Sequence, residues 1–333
     1  MRPDWALATV LTPRMLRMFG PCYNASKGRK SVVAEIQIEK GGANMTKCIP
    51  AILMLVMAFA SSAAESRDTA EDSGGKTVDV NGMSMYYETF GRGDPLLLLH
   101  GFSSSGRESW QIFREQLAEK YMLIIPDLRG HGRSTNPSKM FTHRQCAKDI
   151  SALLDHLGIR GVRAAGISSG GMTLLHMATQ QPERIQAMIL IGATHQFTDE
   201  NRRIQGQATV ESLSQDTDMW GGYKEMRRIH LHGDEQIREL RRQFRAFKDN
   251  FDDMNLSGQD LKKIQAKTLI IHGDRDEFFP VEVPVEIYKA IPNSALWIVP
   301  NGSHVPITTS RFPPVASDKV PFVRTALDFF ADK

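Results

Sequence analysis

Residues 163–180 begin Arg163-Ala164-Ala165-Gly166-Ile167-Ser168-Ser169-Gly170-Gly171 and continue as Met-Thr-Leu-Leu-His-Met-Ala-Thr-Gln. The first five residues form a short run of strand type, and the stretch from Ser169 to Gln180 carries a helical pattern. A serine with glycine two positions away on both sides, where a strand turns into a helix, can be held in a tight conformation that projects its hydroxyl. The glycines permit it by removing side chains that would collide. Ser168 meets this pattern and Ser169 does not, because Ile167 stands two positions before Ser169. A bare G-x-S-x-G arises by chance, so its place after a strand and before a helix carries the argument.

Outward from this turn the chain alternates short apolar runs with amphipathic stretches. Strands are expected at 83–90, 96–99, 122–126, 163–167, 187–191, 268–272 and 295–299, and helices at 109–119, 142–157, 169–180, 281–290 and 321–330. Runs such as Pro95-Leu96-Leu97-Leu98-Leu99 and Thr268-Leu269-Ile270-Ile271 are almost continuously apolar, as suits strands covered on both faces. The pattern predicts an α/β fold, a mostly parallel central sheet with helices on both faces. Residues 197–265 break it, with no strand signal and 12 basic and 13 acidic side chains. There Ile237, Leu240, Phe244, Phe247 and Phe251 recur at steps of three or four, which puts them on one helix face. The expected division is a core in two parts, 65–196 and 266–333, with a helical insertion at 197–265 between them.

A serine hydroxyl attacks a carbonyl only when a base removes its proton, and that base needs a carboxylate to orient it. On this kind of sheet the chain order is serine, acid, histidine. After the strand at 268–272 come Asp274, Asp276 and Glu277, at a strand end where the reactive groups of open parallel sheets gather. One histidine lies beyond them, His304, in Asn301-Gly302-Ser303-His304 after the last expected strand.

With these residues in place the chain resembles the α/β-hydrolase fold family over residues 77–333. Four separated motifs match: His100-Gly101-Phe102, the segment from Asp127-Leu128-Arg129-Gly130 to Ser134, the turn at Ser168, and the pair formed by Gly273-Asp274-Arg275-Asp276 and Gly302-Ser303-His304. The resemblance implies that Ser168 is the nucleophile, His304 the general base and acid, and Asp276 the orienting carboxylate, with Asp274 and Glu277 as rivals for that role. It implies an oxyanion hole from the backbone N–H groups of Phe102 and Ser169, a structural and non-catalytic role for His131, and a cap at 197–265. Ile167 and Ser169 depart from the residues many relatives carry beside the nucleophile, and so shape the pocket. The stretch 307–319 is longer than usual.

Composition narrows the partners. The chain of 333 residues holds 41 Lys+Arg and 38 Asp+Glu, a formal charge of +3. Residues 1–64 contribute 8 basic and 3 acidic groups, which leaves 33 and 35 for residues 65–333, or −2. A near-neutral body carries no clustered basic face for nucleic acid. From Met45 the sequence reads Met-Thr-Lys, then 13 uncharged residues at 48–60, then Ser61-Ser62-Ala63-Ala64. Those are the zones of a secretory signal peptide with cleavage near Ala63 or Ala64, and the apolar core is too short to be a membrane anchor. Residues 1–44 show no domain-like organisation. Lys40-Gly41-Gly42 can be encoded by a ribosome-binding sequence, so translation is expected to start at Met45; intact mass showing residues 1–44 attached would overturn that. Cys146 is the single cysteine after residue 64, too few for an internal disulfide.

The sequence therefore predicts an exported serine hydrolase acting on a small carboxylic ester through an acyl-enzyme, with no metal and no organic cofactor. A lactonase, a carbon–carbon bond hydrolase or a cofactor-free haloperoxidase would use the same triad, and a ligand-binding protein could keep the fold. His230, His232 and Asp234 do not share a helix face, so no metal is expected there. Trp220, Tyr223, Phe278 and Phe279 are candidate pocket residues. Oligomeric state is left open.

Overall fold

The computed structural model describes residues 74–211, 222–309 and 316–331. The expected signal peptide and the residues before it, Trp220, and part of the 307–319 stretch lie outside the described residues. Eight strands are present: β1 (Lys76–Val80), β2 (Met83–Phe90), β3 (Asp94–Leu99), β4 (Tyr121–Pro126), β5 (Val162–Ile167), β6 (Ile185–Ile191), β7 (Lys267–Gly273) and β8 (Ser294–Val299). They form one sheet in the order β1-β2-β4-β3-β5-β6-β7-β8. β2 runs antiparallel to β1 and β4, and β3 to β8 pair in parallel.

Seven of these strands coincide with expected ones to within two residues at either end. β1 is an addition: its Lys76 and Asp79 hide a strand signal, and Val80 alone is buried. Charged residues on such an edge strand discourage pairing with another chain.

The parallel strands sort their side chains by alternation. Leu97 and Leu99 of β3, with Met188 and Leu190 of β6, enter one core, whereas Leu96, Leu98, Ile189 and Ile191 enter the other. Successive side chains of a strand point to opposite faces, so each apolar run supplies both cores. On the first face lie α2 (His143–His156), α3 (Ser169–Gln180) and α8 (Glu282–Ala290), through Ile150, Leu153, Leu174 and Ile287. On the second lie α1 (Gly106–Ala118) and α9 (Phe322–Ala331), whose Trp110, Phe113 and Phe322 rings stack at 5.0–6.4 Å. Removing such a buried ring costs about 3–5 kcal/mol. Helix starts follow their caps: Ser105 accepts from the Glu108 N–H and Thr142 from the Gln145 N–H. The Ser105 cap starts α1 three residues before the periodicity suggests.

Between β6 and β7 the described residues hold α4 (Asp199–Gly206), α5 (Tyr223–Ile229), α6 (Asp234–Ala246) and α7 (Gly258–Leu261). Ile237, Leu240 and Phe247 of the expected stripe are buried. Phe251 is not on it. The α6 helix gives way to a tighter turn at Phe247–Asp249, and Phe251 stands 63% exposed with the Arg202 guanidinium 3.9 Å above its ring.

Candidate active site

Ser168 sits between β5 and α3 at φ 50°, ψ −115°, outside the regions that side chains favour. Such strain costs on the order of 1–3 kcal/mol and persists only where the surroundings over-determine it. The glycines let those surroundings close in. A Cβ on Gly166 would lie 2.5 Å from the Gly170 carbonyl carbon and the Gly171 nitrogen, and one on Gly170 would lie 2.5 Å from the Leu99 oxygen. The Ser168 N–H donates to the Ile191 carbonyl at 2.8 Å, which pins the turn to the end of β6.

The loops after β7 and β8 are laced together. The Asp274 N–H donates to the Val299 carbonyl at 3.2 Å and the Arg275 N–H to the Gly302 carbonyl at 2.9 Å. This brings Asp276 Oδ2 to 2.8 Å from His304 Nδ1. Asp276 Oδ1 accepts from the Phe278 and Phe279 N–H groups at 2.8 and 3.0 Å, so the carboxylate is fixed in orientation. Burial works to raise the Asp276 pKa, but the His304 charge and hydrogen bond outweigh it and hold it below the ordinary carboxylate value. Of the rivals, Asp274 is exposed, and Glu277 accepts from the His304 backbone N–H at 3.2 Å rather than from its ring. Gly192, at the end of β6 with φ 56°, leaves the space that His304 fills; a Cβ there would meet the His304 carbonyl oxygen at 2.3 Å. The motif reading did not include Gly192.

Ser168 and His304 line one cavity of about 410 Å³ without a direct hydrogen bond between them. Such contacts are often long until substrate binds. Phe102 and Ser169 line the same cavity. Ser169 is the first residue of α3, so its N–H has no partner within the helix. The loop carrying Phe102 is braced from beneath by His100, whose Nδ1 lies 2.7 Å from the Gly101 carbonyl and whose Nε2 accepts from the Leu128 N–H at 2.8 Å. Burial lowers the His100 pKa to about 4, so the ring is neutral and can serve both contacts. The Asp127–Ser134 segment forms a knot of its own: Asp127 accepts from the Gly106 and Arg133 N–H groups, and Arg129 pairs with buried Asp149. His131 is fully buried in that knot, its Nδ1 on the Arg129 carbonyl.

Ile167, Phe278 and Phe279 line the cavity, and both Phe rings stand against His304, at 4.7 and 5.4 Å. Tyr223 does not line it. Its hydroxyl is hydrogen-bonded to Asp234, at the start of α6, and the α5 residues that line the cavity are Glu225, Met226 and Ile229. Sequence periodicity over so short a helix does not say which side meets the pocket. Phe197, Phe244 and Phe247, also from the segment between β6 and β7, supply further aromatic wall. His230 accepts from the Gly132 N–H at 3.0 Å, while His232 is exposed against the Arg133 carbonyl. Among the described residues no group of three or more His, Cys, Asp or Glu side chains is placed to hold a metal ion.

A serine on a strained turn, a carboxylate-oriented imidazole and a largely apolar cavity can together perform acyl transfer. Comparison with known proteins identifies the family. The sequence profile of the alpha/beta hydrolase fold matches residues 94–217. Human serine hydrolase BPHL is 30% identical over 237 residues, covering 68% of this chain and 79% of its own. The 2-hydroxy-6-oxo-2,4-heptadienoate hydrolase of Pseudomonas putida is 26% identical over 275 residues, 77% of this chain and 96% of its own. Among solved structures, the meta-cleavage product hydrolase of Pseudomonas fluorescens IP01 superposes with a TM-score of 0.61 at 21% identity, covering 77% of this chain and 97% of that one. On its motifs, its sheet and these relatives, the chain belongs to the α/β-hydrolase fold family.

Proposed function

We propose that the protein is a serine hydrolase that cleaves small carboxylic esters through an acyl-enzyme. The observation that carries this is Ser168 on its strained turn, opening into the same cavity as an imidazole oriented by Asp276. With Asp276 accepting from Nδ1–H, His304 presents the Nε2 lone pair as base. It takes the Ser168 proton as Oγ attacks the carbonyl carbon, and the N–H groups of Phe102 and Ser169 stabilise the oxyanion. His304 then gives that proton to the leaving alcohol. Water, deprotonated by His304, cleaves the acyl–serine bond and releases the acid, and the proton returns to Ser168. The helices between β6 and β7 act as a cap, whose Phe, Met and Ile side chains favour an apolar acyl or alcohol group.

The curated relative named for a dienoate substrate supports a second reading, cleavage of a carbon–carbon bond with the same three residues. A lactonase, a cofactor-free haloperoxidase and a ligand-binding protein retaining the fold are the remaining alternatives. We read residues 45–64 as a signal peptide, so the mature enzyme starts near Glu65 and works outside the cytoplasm.

One experiment tests these points together. A fluorophosphonate probe is added to protein recovered from producing cells, and intact mass is read before and after. A single adduct on Ser168, absent in Ser168→Ala, is expected, on a chain beginning near residue 65. Well-folded protein that takes no adduct and turns over no ester would shift the assignment to the ligand-binding alternative. A mass that retains residues 45–64 would remove the export reading.

A further inference from the structure

A second Ser–His–Asp chain lies beside the first, and the proposed mechanism does not use it. Ser169 Oγ is 3.0 Å from His143 Nε2, and His143 Nδ1 is 2.6 Å from Asp253 Oδ2. His143 and Asp253 are fully buried side chains and Ser169 is 3% exposed. The Asp253 carboxylate also accepts from the backbone N–H groups of His143 and Arg144, at 2.9 and 3.1 Å. His176 Nε2 lies 2.8 Å from the Asp253 carbonyl and holds the residue in place. Burial pushes the Asp253 pKa up, but the His143 charge and these hydrogen bonds pull it down to about 2, so the group is ionised. An ionised carboxylate only accepts. His143 Nδ1 therefore carries a proton toward Asp253, and Nε2 shares a hydrogen bond with the Ser169 hydroxyl.

Ser169 is also the residue whose N–H the mechanism directs at the oxyanion. Its carbonyl is held by the Thr173 hydroxyl at 2.8 Å and its side chain by His143. Gripped at both places, and preceded by the strained Ser168, it has little freedom to rotate the N–H away. We infer that His143 and Asp253 are positioning residues that act through the Ser169 hydroxyl to aim the Ser169 N–H at the oxyanion. Asp253 belongs to the segment between β6 and β7, so that segment is tied directly to transition-state stabilisation. The inference rests on the hydrolase reading above.

The test uses the whole protein, a p-nitrophenyl ester, and a trifluoromethyl ketone whose adduct places an oxyanion where the reaction would. Ser169→Ala and His143→Phe are each expected to lower kcat roughly 10–100-fold with KM within about twofold. Ketone affinity should fall by the same factor as kcat/KM, a relation that loss of folded protein does not produce. Because His143 acts through Ser169, the double variant should be no worse than Ser169→Ala. Ser169→Ala removes one hydroxyl and carries the test by itself if His143→Phe fails to fold. Full kcat in Ser169→Ala, or losses that multiply in the double variant, would overturn the inference alone. Wild-type protein without ester turnover, or turnover unchanged in Ser168→Ala, would remove the hydrolase reading and this inference with it.

Discussion

At the scale of single residues, the part of Asp276 can be tested with little disturbance. Oδ1 accepts two backbone N–H groups and Oδ2 faces His304 Nδ1. In Asp276→Asn the side-chain oxygen can keep the backbone contacts while the amide nitrogen replaces Oδ2. A donor at that place forces the imidazole to carry its proton on Nε2, where it cannot accept from Ser168. Ester kcat is expected to fall roughly 10³–10⁴-fold while the protein still melts cooperatively; kcat within tenfold of wild type would mean that another group orients His304. Ser168, Asp276 and His304 were all legible as residues, because each sits in a short local motif after a strand. His143 and Asp253 were not: they are 110 positions apart and neither lies in a motif. Only folding gives a contact of that kind a meaning.

At the scale of elements, the strand–turn–helix around Ser168 is built by backbone approach rather than by side-chain contact. Gly166→Ala would press a methyl group against the backbone of Gly170 and Gly171, where no side chain can move aside. Thermal unfolding should show a loss of at least about 2 kcal/mol, with esterase activity reduced in the protein that remains folded. An unchanged melting temperature would mean that the turn has more room than the structure shows. Strands and helices of the sheet were readable because burial on both faces leaves long apolar runs and strong helical stripes. β1 was missed although Asn81-Gly82, at φ 46° and 75°, links it to β2, and an Asn-Gly pair is a strong hairpin signal. The polar strand before it concealed the pairing. Tyr223 and Phe251 were misplaced for a related reason: where a short helix ends, and which polar partner captures its tyrosine, depends on neighbours far along the chain.

At the scale of the whole molecule, several buried histidines tie stability to pH. Burial is the largest cause in lowering His100 and His176 to about 4 and His230 to about 3, and it lowers His131 as well. Unfolded, each would titrate near 6.5, so between pH 6.5 and 4 the unfolded chain binds more protons than the folded one. The stability these groups contribute is present above pH 6.5 and is lost as pH falls toward 4, at about 1.4 kcal/mol per pH unit for each. Asp127, whose pKa burial raises to about 6, offsets about one of these rings below that pH. With the remaining rings acting together, a large part of a total stability of about 5–15 kcal/mol should still be lost before the ordinary carboxylate range is reached. Urea midpoints measured from pH 7.5 to 4 should drop steeply across that window; a flat profile would show that these rings take up protons while folded. The sequence by itself determined the α/β class, the parallel core and the three proposed catalytic side chains, since periodicity and short motifs act over a few neighbouring residues. Tertiary structure alone decided how Asp276 is held against His304, which residues between β6 and β7 wall the cavity, and that His143 and Asp253 reach Ser169. Those are contacts between segments distant in the chain, set by how strands align and loops interlace, and no local pattern encodes them.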